Sequence, residues 1–586
     1  MRDPGIETYK KVSKLRTANS QSDPCEFVYT RRQFAKRVAL GGAAATFLST
    51  SSNCLAAEEA PPFPQPASAI PPPKHIVLIL ADTLRYDYVG AYGKGKCATP
   101  HIDSIARDGI LLDNAFTPSP ISAPAYASLL SSTYPFQHGV SNNGVHLPTD
   151  LPILPGFLKE SGFHTAAFVA NYYCGPKFSF DRAWDTFFDS STLTLFSWNL
   201  SKTLLPWLAS WQPSQMPLFL FLAYMDPHVP YAPPYMPKWL LASLEDRVIG
   251  TYCPELSPIL TIPLDVPPGE HHLAFDRIVP PLKPDWKPLF RVSTLRQGSI
   301  MQKGVAVEFV ENVGEPFDAR PRLRTKQWPV KDFPLGATVI NPTDRTISGD
   351  LKVRLVRAYT AQEARFLYPQ CIEFMDHEIG KVLDAFRGKG VYDDTLFIFL
   401  ADHGEGLGDH DLVGHLKQVY DSLMHVPLIF RYAPLGQGRV SSLASLVDVF
   451  PTIAALMGAQ EAPDQKGRSL LPDFAGHAPR HGTIIVGETS PPEAPERLTS
   501  IRTRQWKLIV NATRRTAELY DLTGDPGELK DIFSENEVLS RETVGVYKRL
   551  FAINDVFDPI TDIDELDLDS LDDAELEELR ALGYLE

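Results

Sequence analysis

Two acidic sites stand where apolar runs of this chain end. Ile76–Leu80 runs into Ala81-Asp82, and Leu396–Leu400 runs into Ala401-Asp402-His403-Gly404-Glu405. A carboxylate at the end of a buried strand costs desolvation energy unless it is paired or holds a metal. Asp82, Asp402 and His403 together suit one divalent cation, with oxygens supplying charge and the imidazole a borderline ligand. The plain alternative is that each acid caps the helix after it. Capping accounts for Asp82 as well as a metal does, but leaves the His and the tight Gly turn of 402–405 without a purpose. A nucleophile is the next requirement. Ser122, in Ser122-Ala123-Pro124-Ala125-Tyr126, stands just before a Pro-initiated helix. Free backbone N–H groups and a nearby metal would stabilise its oxyanion there. Taken alone, such a serine is usually an N-cap.

These residues need elements to position them. Buried strands are expected at His75–Leu80, His164–Val169, Pro217–Ala223, Thr395–Leu400 and Val426–Phe430, because each is a short apolar or β-branched run. Helical periodicity is clearest over Gln362–Phe386, where Phe366, Ile372, Met375, Ile379, Val382 and Phe386 recur. Strands alternating with helices predict an α/β sandwich around a mostly parallel sheet, whose carboxyl ends form the ligand crevice. Residues 238–355 break the rhythm with many prolines and alternating segments such as Gly304–Val310, and read as a β-rich insertion. His271-His272 is expected in a loop of it. Residues 479–550 carry strand-like groups at Ser500–Val510 and Glu518–Leu522, then a helix, which predicts a small antiparallel C-terminal subdomain. The catalytic body is thus 74–237 plus 356–478.

The ends of the chain are of another kind. Thr30-Arg31-Arg32-Gln33-Phe34-Ala35-Lys36, a weakly apolar stretch to Leu48 and small residues near Ala57 resemble a twin-arginine export signal over 1–57. A Pro-rich linker follows over 58–73. This predicts a bacterial periplasmic or extracellular protein that uses the twin-arginine machinery. The charge of the 586 residues is 56 − 71 = −15. Residues 555–586 hold thirteen acids against Arg580, so this tail supplies −12 of it and the body is nearly neutral. Over 551–586 the tail reads as a solvated surface whose Ala574, Leu576, Leu579 and Leu582 would dock on the body. The balance argues against nucleic acid and anionic membranes as partners, and no apolar run is long enough for a membrane span. Six widely spaced cysteines, without a CxxC pair, require neither zinc nor a disulfide.

Further motifs fall in order along the chain: Asp82-Thr83-Leu84-Arg85, Thr99-Pro100-His101-Ile102-Asp103, Ser122-x-Pro124-Ala125 and Tyr134-Pro135-x-x-His138-Gly139-Val140. Asp226-Pro227-His228-Val229-Pro230-Tyr231, Asp402-His403-Gly404-Glu405, Gly414-His415 through Tyr420-Asp421 to His425-Val426-Pro427-Leu428, Trp506-Lys507 and Glu518–Leu522 follow. In this order they resemble the sulfatase family of the alkaline-phosphatase superfamily. The resemblance covers nearly all of 74–535 outside the insertion. It implies that Asp82, Asp402 and His403 bind one divalent metal, with Ser122 completing the sphere as nucleophile. Calcium is the leading expectation, with manganese or zinc, the ions of phosphonate- and phosphodiester-cleaving relatives, favoured by the His ligand. It further implies that His228 contacts the ester and helps the leaving oxygen depart, and that His415 or Lys417 binds the anionic oxygens. Sulfatases of this kind hydrolyse small-molecule or glycan sulfate esters after a maturase converts a Cys or Ser to formylglycine, here Ser122.

Three positions depart from the family pattern. Tyr126 stands where an Arg normally steadies the formylglycine hydrate, Thr83 replaces the second Asp of an Asp-Asp pair, and Phe168-Val169-Ala170-Asn171 replaces a Gly-Lys-Trp-His motif. A formylglycine hydrate expels sulfate by collapsing to the aldehyde, whereas an unmodified Ser must lose its ester to water. That hydrolysis is easier for a phosphoryl-serine. A phosphodiesterase, phosphonate monoester hydrolase or phosphoryl transferase is therefore the alternative to a sulfatase, and an inactive binding homologue the third reading.

Overall fold

The computed structural model describes residues 70–551 except 190–196, 215, 230, 232–239, 245–246, 253–258, 278–288, 295–305, 311–334, 342–343, 345, 359–360, 416–417, 460–464, 477–482 and 492–493. The export signal, most of the linker, Lys417 and the acidic tail lie outside the described residues.

The central sheet has nine strands: β1 (His75–Ala81), β2 (Ile110–Phe116), β3 (His164–Val169), β4 (Thr186–Asp189), β5 (Leu218–Tyr224), β6 (Thr395–Ala401), β7 (His425–Val426), β8 (Leu428–Arg431) and β9 (Gly438–Ser445). Across the sheet they run β9, β2, then β7 and β8 on successive parts of β2, then β6, β1, β5, β3 and β4. Pairing is parallel except where β7 and β8 run against their neighbours. β1, β5 and β6 are buried along their whole length, which is why their sequences are unbroken apolar runs rather than alternating ones.

Register decides the site. Ala81, the last residue of β1, pairs with Ala401 of β6 and Tyr224 of β5, and Val169 of β3 pairs with Ala223. The residues that follow each strand therefore leave the sheet along one carboxyl edge: Asp82, Asp402, the turn holding His228, and Asn171.

Four helices matter for that edge: α1 (Ser122–Ser131), α2 (Ser197–Ser210), α3 (Ala361–Gly388) and α4 (Glu537–Phe551). In α3 the predicted stripe is buried from Ile372 to Phe386, but Phe366 is 39% exposed. Counting back from Ile372 at helical spacing reaches Tyr368 and Ala364, which are buried, and leaves Phe366 on another face.

Strands between residues 240 and 358 pair in a five-stranded and a three-stranded sheet. His271-His272 is not in a loop: both lie in the strand Gly269–Arg277, opposite Val339 and Thr338. The turn ends at Gly269, whose φ is 105°, and the strand begins there.

The C-terminal sheet is antiparallel throughout: β10 (Ile485–Thr489), β11 (Leu498–Arg502), β12 (Trp506–Asn511) and β13 (Thr516–Asp521). Val486, Ile501, Leu508, Val510 and Leu519 pack against Val544, Tyr547 and Leu550 of α4. A buried ion network ties this sheet to the Tyr420–His425 turn. Asp421 receives Lys507 Nζ at 2.8 Å and Arg502 Nη2 at 3.0 Å, while Lys507 also meets Glu528 at 2.6 Å. Among the described residues Cys97, Cys174 and Cys371 form no disulfide.

Candidate active site

Asp82, Asp402 and His403 converge as their strand-end positions require. One ligand atom from each lies within 4.8 Å of the others, and all three side chains are fully buried. Asp82 accepts a hydrogen bond from Asn171 Nδ2 at 2.7 Å on Oδ2, and its Oδ1 has no hydrogen-bond partner. Asp402 Oδ1 accepts from the backbone N–H of Thr83 at 3.0 Å and of His403 at 2.8 Å, while its Oδ2 accepts none. Neither acid caps a helix. Burial, with Asp402 as neighbour, pushes the Asp82 carboxyl up to about 6, and burial pushes Asp402 up to about 7.

The imidazole of His403 sharpens the case. Its Nδ1 lies 3.0 Å from the Gly404 carbonyl, which can only accept, so Nδ1 carries the proton and Nε2 bears a lone pair. That lone pair lies 3.4 Å from the unpartnered Oδ2 of Asp402 and 3.3 Å from Ser122 Oγ. Three electron-rich atoms facing one another under full burial are stable only around a shared cation or proton. The donor set, two carboxylate oxygens, one imidazole and a hydroxyl, fits a divalent metal.

Ser122 is the first residue of α1 and makes no capping hydrogen bond; Ile121 holds the cap position. Its side chain is free for the His403 contact. The next N–H, of Ala123, donates to Asn143 Oδ1 at 3.0 Å. Tyr126 is buried one turn on, edge-to-face with Phe221, and its hydroxyl has no hydrogen-bond partner.

The turn after β1 is strained. Thr83 has φ of 59°, where a β-branched residue is disfavoured. Three bonds hold it: its N–H to Asp402, its carbonyl accepting from Tyr368 Oη at 2.6 Å, and the Arg85 N–H donating back to that hydroxyl at 2.9 Å. Tyr368 comes from α3, so the long helix fixes the metal turn. The Arg85 guanidinium binds Asp87 and Asp409 and donates to the Glu405 carbonyl at 3.2 Å, which fixes the 402–405 turn from the other side.

His415 lies beside the cluster, its ring 4.7 Å from that of His403 and 4.8 Å from that of His228. His228 Nδ1 donates to the Val229 carbonyl at 2.5 Å, so His228 also bears its lone pair on Nε2. Asp226 is no ligand here: it accepts from the N–H and hydroxyl of Ser197 at the start of α2, which anchors the His228 turn. His415 Nδ1 faces Glu405 Oε1 at 3.2 Å. Burial, with His228 as neighbour, lowers His415, one of the two residues expected to bind the anionic oxygens, to about 3. Lys417, the other residue expected there, lies outside the described residues.

Sequence reasoning missed Asn171, Glu405 and Arg85 as parts of the site. Asn171 was visible as the residue after β3 on the same sheet edge, and Glu405 as the acid closing the ligand-bearing turn.

Comparison with known proteins agrees with this geometry. Residues 74–459 match the family model described as Sulfatase, and residues 408–550 match N-sulphoglucosamine sulphohydrolase, C-terminal. The chain belongs to the sulfatase family. As a sulfatase it is a sulfuric ester hydrolase of the alkaline-phosphatase superfamily. It is 24% identical to N-acetylglucosamine-6-O-sulfatase of Bacteroides thetaiotaomicron, over 80% of this chain and 84% of that one. Arylsulfatase K of Xenopus laevis is 21% identical over 79% of each chain. Two solved structures share the sulfatase fold. One, in complex with its substrate D-glucosamine-2-N,6-O-disulfate, has a TM-score of 0.56 at 17% identity and covers 83% of this chain and 99% of its own. The other, phosphonate monoester hydrolase of Agrobacterium radiobacter, has a TM-score of 0.54 at 18% identity over 82% and 95%. No helix among the described residues is long and apolar enough to cross a membrane.

Proposed function

We propose that this sulfatase hydrolyses sulfate esters of a small molecule or glycan in the bacterial periplasm or outside the cell, with Ser122 as the nucleophile or the precursor of formylglycine. The observation that carries this reading is the placement of Ser122 Oγ, 3.3 Å from His403 Nε2 beside two carboxylates with unpartnered oxygens. Asp82, Asp402, His403 and Ser122 would hold one divalent cation, calcium first and manganese or zinc next. Such an ion supplies Lewis acidity toward the ester oxygens and a lowered pKa at the hydroxyl. The chain's own residues do the rest. Tyr368 and Arg85 hold the two ligand turns in register. His403 is oriented by its Nδ1–H bond to Gly404, and Asn171 keeps Asp82 turned toward Asp402. His228, whose Nδ1–H serves the Val229 carbonyl, would bind the ester and give a proton to the leaving oxygen through Nε2. Export through the twin-arginine machinery and maturation by a formylglycine-forming enzyme go with this reading.

A second reading is supported by Tyr126 and Asn171. At the positions where the family pattern has Arg and a basic motif, this chain has a buried phenol and an amide committed to Asp82. An unmodified Ser122 then serves a phosphodiester or phosphonate ester, whose covalent serine ester water can hydrolyse. The test is a peptide mass spectrum across Ser122 on protein from its own host, with sulfate release from an aryl sulfate. Loss of two hydrogens at Ser122 together with sulfate release is expected. An intact Ser122 with faster turnover of an aryl phosphodiester would replace the first reading by the second.

A further inference from the structure

Two loops on the carboxyl edge of the sheet are each tied to the site by an asparagine. Asn171 spans from Asp82 to the Tyr173 N–H, which it accepts at 2.9 Å. Asn143 binds the Ala123 N–H beside Ser122. Beyond these anchors the loops meet, with the Leu147 N–H donating to the Phe178 carbonyl at 2.9 Å and His146 edge-on to the Phe178 ring at 5.6 Å. The surface so formed departs from the usual burial of aromatics. Tyr172 is 41% and Tyr173 39% exposed, and both rings lean on Phe178 at 5.7 and 5.8 Å. Exposed Lys177 donates to the Tyr172 hydroxyl at 2.6 Å and stands 5.1 Å over its ring.

We propose that Tyr172, Tyr173 and Lys177 form a subsite for an acidic sugar unit of the substrate, a pyranose ring carrying a second anionic group besides the ester that is cleaved. The proposal rests on the ester-hydrolase reading of Ser122 only for which group is cleaved. The aromatic faces match the C–H face of a sugar ring, while their hydroxyl edges match its rim of hydroxyls. Packing on Phe178 fixes both rings before the ligand arrives, so little side-chain entropy is lost on binding. Lys177 supplies an exposed cation for a carboxylate or sulfate. The tie from the Tyr173 N–H through Asn171 to Asp82 holds this loop on the same strand-end edge as the reacting group, and the proposed glycan would span both.

The test is calorimetric titration of the full chain carrying Ser122→Ala, which removes turnover. The probes are a mono-sulfated hexosamine and the same sugar linked to a uronic acid. The uronic-acid compound is expected to bind about tenfold more tightly, as one charge-assisted contact would give. Lys177→Glu should abolish that gain, and Tyr172→Ala with Tyr173→Ala should weaken the uronic-acid compound by about threefold or more while leaving the mono-sulfated sugar unchanged. Equal affinity for the two probes, or a gain that survives Lys177→Glu, overturns the proposal. Because binding is read without turnover, failure of the wild-type chain to release sulfate would count against the reaction alone.

Discussion

Two buried carboxylate clusters in this chain differ in their counter-charges. At the Tyr420–His425 turn, Lys507 serves both Asp421 and Glu528 and Arg502 serves Asp421; the two cations hold the Asp421 carboxyl well below the usual range although it is buried, while burial pushes Glu528 up to about 7. At the carboxyl edge of the central sheet, Asp82 and Asp402 face a neutral imidazole and each other, and both are pushed up. Residue type and burial are the same; the difference is the partner. Where the chain brings its own cations, the acids fasten one sheet to another. Where it brings none, they leave oxygens that a bound cation or a proton must satisfy, beside a serine with no structural duty. Burial of acids alone therefore says little about function, whereas burial without a counter-charge marks the place where chemistry is expected.

The largest way to break the contrast is at Ser122. Ser122→Ala should lower ester hydrolysis by about 10⁵-fold, in line with loss of a nucleophile elsewhere, measured as sulfate or phosphate release at saturating substrate. Residual activity within tenfold of wild type would remove Ser122 from the chemistry. The next test sets the two clusters against each other through stability. Lys507→Met strands the buried Glu528 and leaves Asp421 with Arg502 alone, and should cost about 3–5 kcal/mol in denaturant unfolding. Asp402→Asn in metal-free protein removes a disfavoured charge and should raise stability by about 1 kcal/mol, while abolishing stabilisation by added divalent ion. Destabilisation by both changes would mean that the clusters do not differ as argued.

Much of the catalytic edge was legible because strand-end acids are a local signal. Apolar runs ending in Asp82 and Asp402-His403, and a Ser ahead of a Pro-containing helix, lie within a few residues of the features that give them meaning. What stayed hidden depends on pairings distant in sequence. Asn171 reaches Asp82 across 89 positions, and Arg85 reaches the Glu405 carbonyl across 320. Nothing local says that the residue replacing a basic motif will orient a ligand instead. His415 is legible by type, but the Glu405 carboxylate that its ring faces is a contact made by the fold. Phe366 shows an ordinary failure of pattern, a stripe extended past its phase, and His271-His272, expected in a loop, continue a strand.

Acid should act with opposite sign on Asp421 and on the strand-end acids Asp82 and Asp402. The Asp421 carboxyl is depressed below its ordinary 3.8 by Arg502 and Lys507. Its contribution is therefore complete above that value and is lost as pH falls through it. Asp421→Asn should flatten the acid limb of the stability curve below pH 4, seen by thermal unfolding at a series of pH values. An unchanged acid limb would mean that Asp421 is not the group holding the sheets together.

The smallest effect expected is also the most specific to the metal cluster. Asn171 adds no charge and no ligand atom; its amide donates to one oxygen of Asp82, and its own oxygen is committed to the Tyr173 N–H. It can therefore influence metal binding only by fixing the Asp82 carboxylate so that Oδ1 faces Asp402 and His403. Loss of such an outer partner typically costs 10- to 100-fold in affinity. Asn171→Ala should weaken divalent-ion binding by about tenfold, measured by titration of metal-stripped protein. Asn171→Asp should differ from it in direction, because a third carboxylate raises the cation affinity while crowding charge in the metal-free state. If both substitutions left ion affinity unchanged, the unpartnered oxygens of Asp82 and Asp402 would have to be satisfied by protons, and the two clusters would differ in pKa without differing in purpose.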